Sequence, residues 1–334
     1  MNLNETLTNT KQYKCNRVTV NHDNYFRVNW GLGNQCMFSC SYCTPSLHDG
    51  SIPWMDLEHC KKVAKVIIDN TRNKIIQWTF LGGEITVWKD FLSLIQWIKE
   101  YNPTSIIMLL TNGNRTVRYW HKAKYYIDRM LISVHLEFID PNEVKNVVNE
   151  CADTISWIGM FIMALPHKWD VTTNAMEILK TCDNYNVLRY KILTDWYNRA
   201  GIGYASKDEF VPYEDWQKDI IISEIYNKHN PDTYNSEFPK WQVHMYSDDI
   251  LLEQPTMSEI YANKQNTWTG WNCYAGQELI FLNKDGGVWS SDCKHKYLGN
   301  WKINPEEIHF LQEPIVCEKE WCWCGDDIFA TKTR

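Results

Sequence analysis

The sequence has little of what would carry a protein into or across a membrane. Its longest apolar run, Met160 to Leu165, falls far short of the ~20 residues of a bilayer span, and Met1 to Cys15 hold no apolar core of the kind an export signal needs. A cytoplasmic protein is expected. A basic excess is missing too, since 34 Lys and Arg stand against 41 Asp and Glu, a net charge of -7 spread along the chain. That leaves no electrostatic footprint for a long nucleic-acid duplex, while a small anionic substrate stays compatible with it. Repeats and low-complexity tracts are absent. With 334 residues, 44% of them hydrophobic and 22% charged, the composition excludes a disordered tail and leaves room for a sizeable domain plus an appendage.

Cysteine is what the sequence has in excess. Twelve thiols without an export signal point to metal rather than disulfides, because the cytosol keeps thiols reduced. Three lie between Cys36 and Cys43, five between Cys273 and Cys324, and only Cys15, Cys60, Cys151 and Cys182 are scattered. Cys60 falls with Val63 and Ile67 at helical spacing and reads as core, whereas Cys151 and Cys182 read as structural residues near helix ends. The 17 Trp read as core and cleft packing.

Apolar runs bounded by turn residues alternate with segments of helical period, the pattern of a parallel β/α fold. Six strands are expected: Tyr25 to Trp30, Ile75 to Leu81, Ser105 to Leu110, Met130 to Leu136, Trp157 to Ala164 and Leu188 to Leu193. Helices are expected near 57–70, 88–101, 115–127, 141–151 and 171–184, the last opened by Thr172 or Thr173 as N-cap. In such a fold chemistry gathers at the carboxyl ends of the strands. There the sequence places Gly31-Leu-Gly-Asn-Gln-Cys36, then Gly82-Gly83-Glu84, then Thr111-Asn112-Gly113. Strict alternation from Leu131 to Phe138 turns Ile132, Val134, Leu136 and Phe138 toward the helices and Ser133, His135 and Glu137 inward.

Cys36-Met-Phe-Ser-Cys40-Ser-Tyr-Cys43 is a CxxxCxxC spacing that lets one loop wrap three thiols around one metal centre. Zinc normally demands a fourth protein ligand, for which His48 is near in sequence. Three thiolates on a 4Fe-4S cluster instead leave the fourth iron open to chelate a substrate or cosubstrate.

These residues resemble the signature of the radical S-adenosylmethionine (radical SAM) superfamily, a three-cysteine loop after the first strand of a partial β/α barrel. The resemblance implies a partial (β/α)6 parallel barrel, a 4Fe-4S cluster on Cys36, Cys40 and Cys43, and S-adenosylmethionine (SAM) as cosubstrate. It sets Tyr42 beside the adenine and Gly82, Gly83 and Glu84 at the methionine amino group. Thr111, Asn112 and Gly113 would lie near the bound nucleoside, and Ser133 near the ribose or carboxylate. Reduction of the sulfonium would release a 5'-deoxyadenosyl radical that abstracts hydrogen from a carbon that need not be acidic. Oxygen sensitivity and an external one-electron reductant such as flavodoxin or ferredoxin follow from the same resemblance. His135 and Glu137 are the expected catalytic residues, contacting substrate or relaying a proton; the competing reading is a hydrogen-bonded pair that braces the barrel.

From Cys273 the chain reads Cys-Tyr-Ala-Gly276, an apolar run Leu279 to Leu282, Asn-Lys-Asp-Gly-Gly287, then Val288-Trp289 and Cys293. Two short strands joined by the Asp-Gly turn form a hairpin that brings Cys273 and Cys293 together. Cys317, Cys322 and Cys324 follow. The arrangement resembles the SPASM and twitch domains that append auxiliary iron-sulfur clusters to radical SAM enzymes. Five cysteines suffice for one cluster with one to spare, so a twitch-like domain with a second 4Fe-4S cluster is the closer match. Cys273 and Cys293 are the safer ligands, and Cys317, Cys322 and Cys324 compete for the remaining two places. A zinc knuckle would use the same thiols without a redox role.

The expected plan is a lead at 1–24, the barrel at 25–194, a connecting, substrate-covering segment at 195–270 with a helix near Glu214 to Tyr226, and the twitch-like domain at 271–334. The lead is shorter than the separate leader-binding domain many peptide maturases carry. The function expected is a radical SAM enzyme acting on a peptide side chain or a small polar metabolite, with no membrane partner. Modification of a nucleotide or nucleobase is the alternative. An iron-sulfur electron-transfer or zinc-stapled sensing protein is the reading from another class, against which the Gly-Gly-Glu turn speaks.

Overall fold

The computed structural model describes residues 14–20, 24–193, 203–205, 210–227, 243–255, 260, 263–322 and 324–334. In chain order the elements begin β1 (Arg17–Val20), β2 (Tyr25–Gly31), α1 (Leu57–Asn70), β3 (Ile75–Leu81), α2 (Phe91–Tyr101), β4 (Ile106–Thr111), α3 (Val117–Ala123) and β5 (Arg129–Val134). They continue as α4 (Pro141–Cys151), β6 (Trp157–Met163), α5 (Trp169–Leu179), β7 (Val187–Lys191), β8 (Gly203–Ala205), β9 (Phe210–Pro212) and α6 (Asp215–Asn227). The rest is β10 (Val243–Ser247), β11 (Ile250–Glu253), β12 (Asn272–Cys273), β13 (Leu279–Leu282), β14 (Gly287–Trp289), β15 (Tyr297–Asn300), β16 (Ile315–Val316), α7 (Gly325–Ile328) and β17 (Lys332–Thr333). The chain divides into two units, residues 29–236 with 282–286, and residues 1–28, 237–281 and 287–334.

The first unit is built on strands in the order β2-β3-β4-β5-β6-β7, with β3 through β7 paired in parallel. Among the described residues β7 does not pair with β2, and the sheet is an open partial barrel of the α/β class. Register separates its two faces. One carries the rows Phe80, Leu109, Met130, Ile158 and Thr111, Ile132, Met160, Leu188, all buried. The helices bury matching stripes: Cys60, Val63 and Ile67 in α1, Leu94, Ile95 and Ile98 in α2, Val144, Val147 and Val148 in α4. Each such aliphatic side chain contributes roughly 1.5–3 kcal/mol by leaving water. The opposite face carries Leu110, Leu131 and Val187, and above them Ser133, Phe161 and Arg189, all half-buried. Its half-open state marks it as the concave side of the sheet.

Three local expectations are corrected. β5 stops at Val134, because the chain turns there and the Phe138 and Ile139 amides donate to the His135 carbonyl at 2.9 and 3.1 Å. Leu136 and Phe138 therefore do not face the helices. Leu136 packs with Tyr42 against Met163, Leu165 and Leu193, and Phe138 is exposed and stacks on Phe38 with centroids 5.1 Å apart. α5 opens at Trp169, and the Thr172 and Thr173 hydroxyls donate back to the Lys168 and Trp169 carbonyls rather than capping it.

The second unit holds an antiparallel sheet in the order β11-β10-β1-β17-β12-β16. Val18, Val243, Met245, Ile260, Trp268, Trp271, Cys322 and Ile328 form its core. β13 and β14 are neighbours joined by a tight turn closed by the Gly286 amide on the Asn283 carbonyl at 2.9 Å, where Gly286 has φ +109°. The helix expected near Glu214 to Tyr226 is α6, while much of the remaining connecting segment lies outside the described residues. Among the described residues no helix is long and apolar enough to cross a membrane.

Candidate active site

After β2 the chain runs to α1 with no regular structure beyond one short turn at Pro45–Leu47. Asn34, fully buried, closes this loop on itself. Its amide nitrogen donates to the Asp49 carboxylate (2.6 Å), the Ser46 carbonyl (3.0 Å) and the Ser51 hydroxyl (3.1 Å), and its oxygen accepts from the Ile52 amide (2.8 Å). Trp54 Nε1 donates to Gln35 Oε1 at 2.6 Å, and Lys284 Nζ donates to the Ser46 carbonyl. The three cysteines ride inside this clasp.

Cys40 is buried and Cys36 and Cys43 are half-buried. Burial pushes the Cys40 thiol up to about 12 and raises Cys36 and Cys43 as well. Cys36 adds to the upward shift of both other thiols, so the three lie within electrostatic reach of one another. Among the described residues, however, no three His, Cys, Asp or Glu side chains converge on a single-ion position, so the zinc site of three Cys plus His48 is not assembled. Thiolates bound to different irons of a cluster stand farther apart than ligands of one ion. Three thiols on one loop are, by their chemistry, the donor set that a 4Fe-4S group with one open iron takes.

The ends of β3 and β4 grip the start of the loop. Gly82 and Gly83 have φ +101° and +55°, and a Cβ on Gly83 would lie 2.1 Å from the Gln35 carbonyl oxygen, one on Gly82 2.4 Å from that of Gly33. Only glycine allows this approach of two backbones. The Glu84 amide then donates to the Gln35 carbonyl at 2.7 Å. The buried Glu84 carboxylate accepts from Thr86 Oγ1 (2.7 Å), the Thr86 amide (3.2 Å), Thr111 Oγ1 (2.8 Å) and the Asn112 amide (2.6 Å). Burial raises its pKa against these donors. Asn112 Nδ2 stands 3.5 Å from Met37 Sδ and 3.8 Å from Cys36 Sγ. Gly113 has φ +77° and its amide donates to Thr111 Oγ1 at 3.1 Å. Ser133 lies level with Phe161 on the concave face.

The residues after β5 grip the other end. His135 Nδ1 is 2.8 Å from the Tyr42 hydroxyl and 3.4 Å from Cys40 Sγ, and its ring stacks on that of Tyr42 at 5.8 Å. Burial lowers its pKa to about 4, so the ring is neutral at pH 7. Glu137 accepts from the Ser41 amide (2.8 Å) and the Ser41 hydroxyl (2.5 Å). Both residues thus engage the cysteine loop. Sequence reasoning missed Asn34, Gln35 and Trp54, whose role rests on contacts spread over some twenty residues; only the Gly31-Leu-Gly-Asn run pointed there.

In the second unit Cys273 lies on β12, opposite Ile315 and Lys332, and Cys293 follows β14. The Cys293 and Asp292 amides donate to the buried Asp327 carboxylate at 2.8 and 3.0 Å, while burial pushes Asp327 up to about 6. The Cys322 amide donates to the Asn266 carbonyl and that of Cys317 to the Trp271 carbonyl, both at 2.8 Å. Burial raises Cys273, Cys322 and Cys324 and pushes Cys293 up to about 11. Cys273 and Cys293 add to the shift of Cys322, and Cys317 to that of Cys273. After burial, the Cys324 shift comes from Asp327, Asp326 and Asp292.

Residues 30–181 match the family model described as the Radical SAM superfamily. A GTP 3',8-cyclase from Mannheimia succiniciproducens is 25% identical over 132 residues, 38% of this chain and 37% of the relative. One from Haemophilus influenzae is 29% identical over 145 residues, 40% of each. The chain thus spans about two-fifths of the length of these curated relatives. Among solved structures, native anSMEcpe with bound AdoMet and Kp18Cys peptide is similar with a TM-score of 0.53 at 14% identity, covering 85% of this chain and 80% of that one. Streptococcus suis SuiB bound to precursor peptide SuiA gives 0.52 at 10% identity, covering 87% and 66%. These structural likenesses speak for the fold. Residues 30–181, the segment that carries the cysteine loop and most of the parallel strands, are therefore a radical SAM domain by the family match.

Proposed function

We propose that the chain reductively cleaves SAM and uses the resulting 5'-deoxyadenosyl radical to abstract hydrogen from a peptide side chain or a small polar metabolite. The reading is carried by one observation: the CxxxCxxC loop is held at both ends by the strand ends that face it, through Glu84 on Gln35 and through His135 and Glu137 on Tyr42 and Ser41. Cys36, Cys40 and Cys43 would hold a 4Fe-4S cluster, which supplies one electron to SAM when both are bound. Tyr42, Gly82, Gly83, Glu84, Thr111, Asn112, Gly113 and Ser133 are the SAM-binding set in this reading. His135 and Glu137 act as positioning residues, since their polar atoms are turned to the loop. A neutral His135 keeps Tyr42 and Cys40 in place without adding a charge beside the thiols.

Residues 271–334 form a twitch-like domain in this proposal, with a second 4Fe-4S cluster on Cys273, Cys293 and two of Cys317, Cys322 and Cys324. It would accept the electron left on the substrate radical, which zinc has no redox state to do. The reductant would be an external one-electron donor of the cytoplasm, such as flavodoxin or ferredoxin. A nucleotide substrate is the second reading, favoured by the GTP 3',8-cyclases matched at 25% and 29% identity. Replacing Cys36, Cys40 and Cys43 together by Ala should abolish 5'-deoxyadenosine formation while iron remains bound by the C-terminal cysteines. Undiminished formation would overturn the proposal.

A further inference from the structure

β7 ends the open barrel with two cations on its concave face. Arg189 stands in register with Phe161 and Ser133, and Lys191 with Met163, one step nearer the carboxyl end. The Arg189 guanidinium lies 4.1 Å from the centroid of the Phe161 ring. No carboxylate among the described residues pairs with either cation, although the chain as a whole is acidic. Arg189 is half-buried and Lys191 is reached by water. Desolvation nevertheless lowers the pKa of both, and Arg189 lowers Lys191 further. Both side chains stand on the same face of β7, one alternate position apart, beside Phe161 and Met163. Two like charges side by side, with no carboxylate partner among the described residues, favour an anion that joins them.

The neighbours place this pair beside the expected chemistry. Phe161 and Met163 belong to the same apolar cluster as Tyr42, which stacks on His135 next to Cys40. From Ser133, the last strand position expected to meet SAM, Arg189 is two strands across the sheet in the same row. Resting on the radical SAM reading above, we infer that Arg189 and Lys191 form a subsite for an anionic oxygen group, phosphate or carboxylate, of the substrate. Arg189 supplies a planar, two-pronged donor and Lys191 a point charge, while Phe161 fixes the guanidinium in orientation. The subsite anchors the substrate by its charged end. Its target carbon is thereby directed toward the Tyr42 side of the concave face.

The test is calorimetric titration of the reconstituted full chain, with SAM present, using inorganic pyrophosphate in one arm and malonate in the other. One arm should bind one ligand per chain, and which arm does so tells phosphate from carboxylate. Arg189→Met, which keeps an apolar contact with Phe161, and Lys191→Met at an exposed position should each weaken that binding about tenfold or more. Lys122→Met, on the exposed side of α3, should leave it unchanged, and SAM affinity should be unchanged in all three. Lack of binding in both arms overturns the inference, as does wild-type binding in Lys191→Met and in any Arg189→Met protein that folds. A parallel loss of SAM affinity would reassign the pair to the SAM carboxylate and overturn it equally. 5'-Deoxyadenosine release from the same preparations separates the two levels. No release from the wild type rejects the radical SAM reading, whereas release without an anion effect rejects only the subsite.

Discussion

Gly83→Ala probes the grip on the cysteine loop at its tightest point. The added Cβ would stand 2.1 Å from the Gln35 carbonyl oxygen, 2.7 Å from its carbon and 2.8 Å from the Asn34 carbonyl carbon. All three are main-chain atoms that cannot swing aside, so the turn must retreat until the Glu84 amide releases Gln35 at its 2.7 Å bond. The lost hydrogen bond costs about 1 kcal/mol. Holding an L-residue at φ +55° costs a further ~1–2 kcal/mol. About 2–3 kcal/mol is expected in urea denaturation, together with loss of exchange protection at the Glu84 amide. Gly270→Ala is the control, because at φ +82° it meets nothing within 4 Å and incurs only the backbone cost. Gly83→Asn adds a second comparison, since Asn tolerates the left-handed region and would be rescued if strain alone mattered. Equal effects of Gly83→Ala and Gly270→Ala, with Glu84 still protected, would refute the reasoning.

His135→Phe should keep the stacking on Tyr42 but lose the 2.8 Å bond to its hydroxyl, weakening SAM binding by about fivefold for one hydrogen bond of ~1 kcal/mol. Full retention of SAM affinity would remove the positioning role. In the metal-free chain His135 also predicts a pH effect, because burial holds its folded pKa at about 4 against an unfolded value of about 6.5. The unfolded state then binds more protons between those values, so stability falls as pH drops through that window, by on the order of 3 kcal/mol, and levels off below it. An unchanged acid limb in His135→Phe would contradict this. Glu137→Gln should cost roughly 1.5–3 kcal/mol through its bonds to Ser41, and a melting temperature equal to wild type would show that Ser41 is not clasped. Metal analysis of anaerobically purified protein should give about eight irons per chain, whereas about four irons with one zinc would make the distal site a zinc staple.

Much of the barrel was legible because period and punctuation agree there. Leu57–Asn70, Ile75–Leu81 and Pro141–Cys151 have the expected bounds, the two helices beginning after Asp56 and Asp140, whose side chains cap them. The alternation through Leu131 to Phe138 failed past Val134, because an apolar residue at every second position also suits a turn that wraps its side chains around a neighbouring loop. Thr172 and Thr173 misled for a related reason, as a hydroxyl can serve a helix from inside its first turn as well as from its cap. The glycines at 82 and 83 were readable as a turn expected to meet SAM, but their backbone partners, Gly33 and Gln35, lie some fifty residues earlier and leave no local trace. Arg189 and Lys191 escaped notice for want of context. A basic residue on a strand looks solvated until the register shows which face it shares.

The grip on the cysteine loop explains why a segment with almost no regular structure can hold a reactive centre. Each strand end takes a different point of the loop: β3 takes Gln35 through the Glu84 amide, β4 takes Met37 and Cys36 through Asn112, and the turn after β5 takes Tyr42, Cys40 and Ser41 through His135 and Glu137. Glu84 also ties the ends of β3 and β4 to each other by accepting from Thr111 and Asn112. The sheet's rigid core thereby fixes the loop at points before, between and beside its cysteines, and the entropy of ordering it is met by packing made elsewhere. The loop thiols, raised in pKa by burial, stay protonated in the metal-free chain, so loading iron must expel those protons. A loop already held in place lets the metal's affinity go into that deprotonation instead of into folding the site.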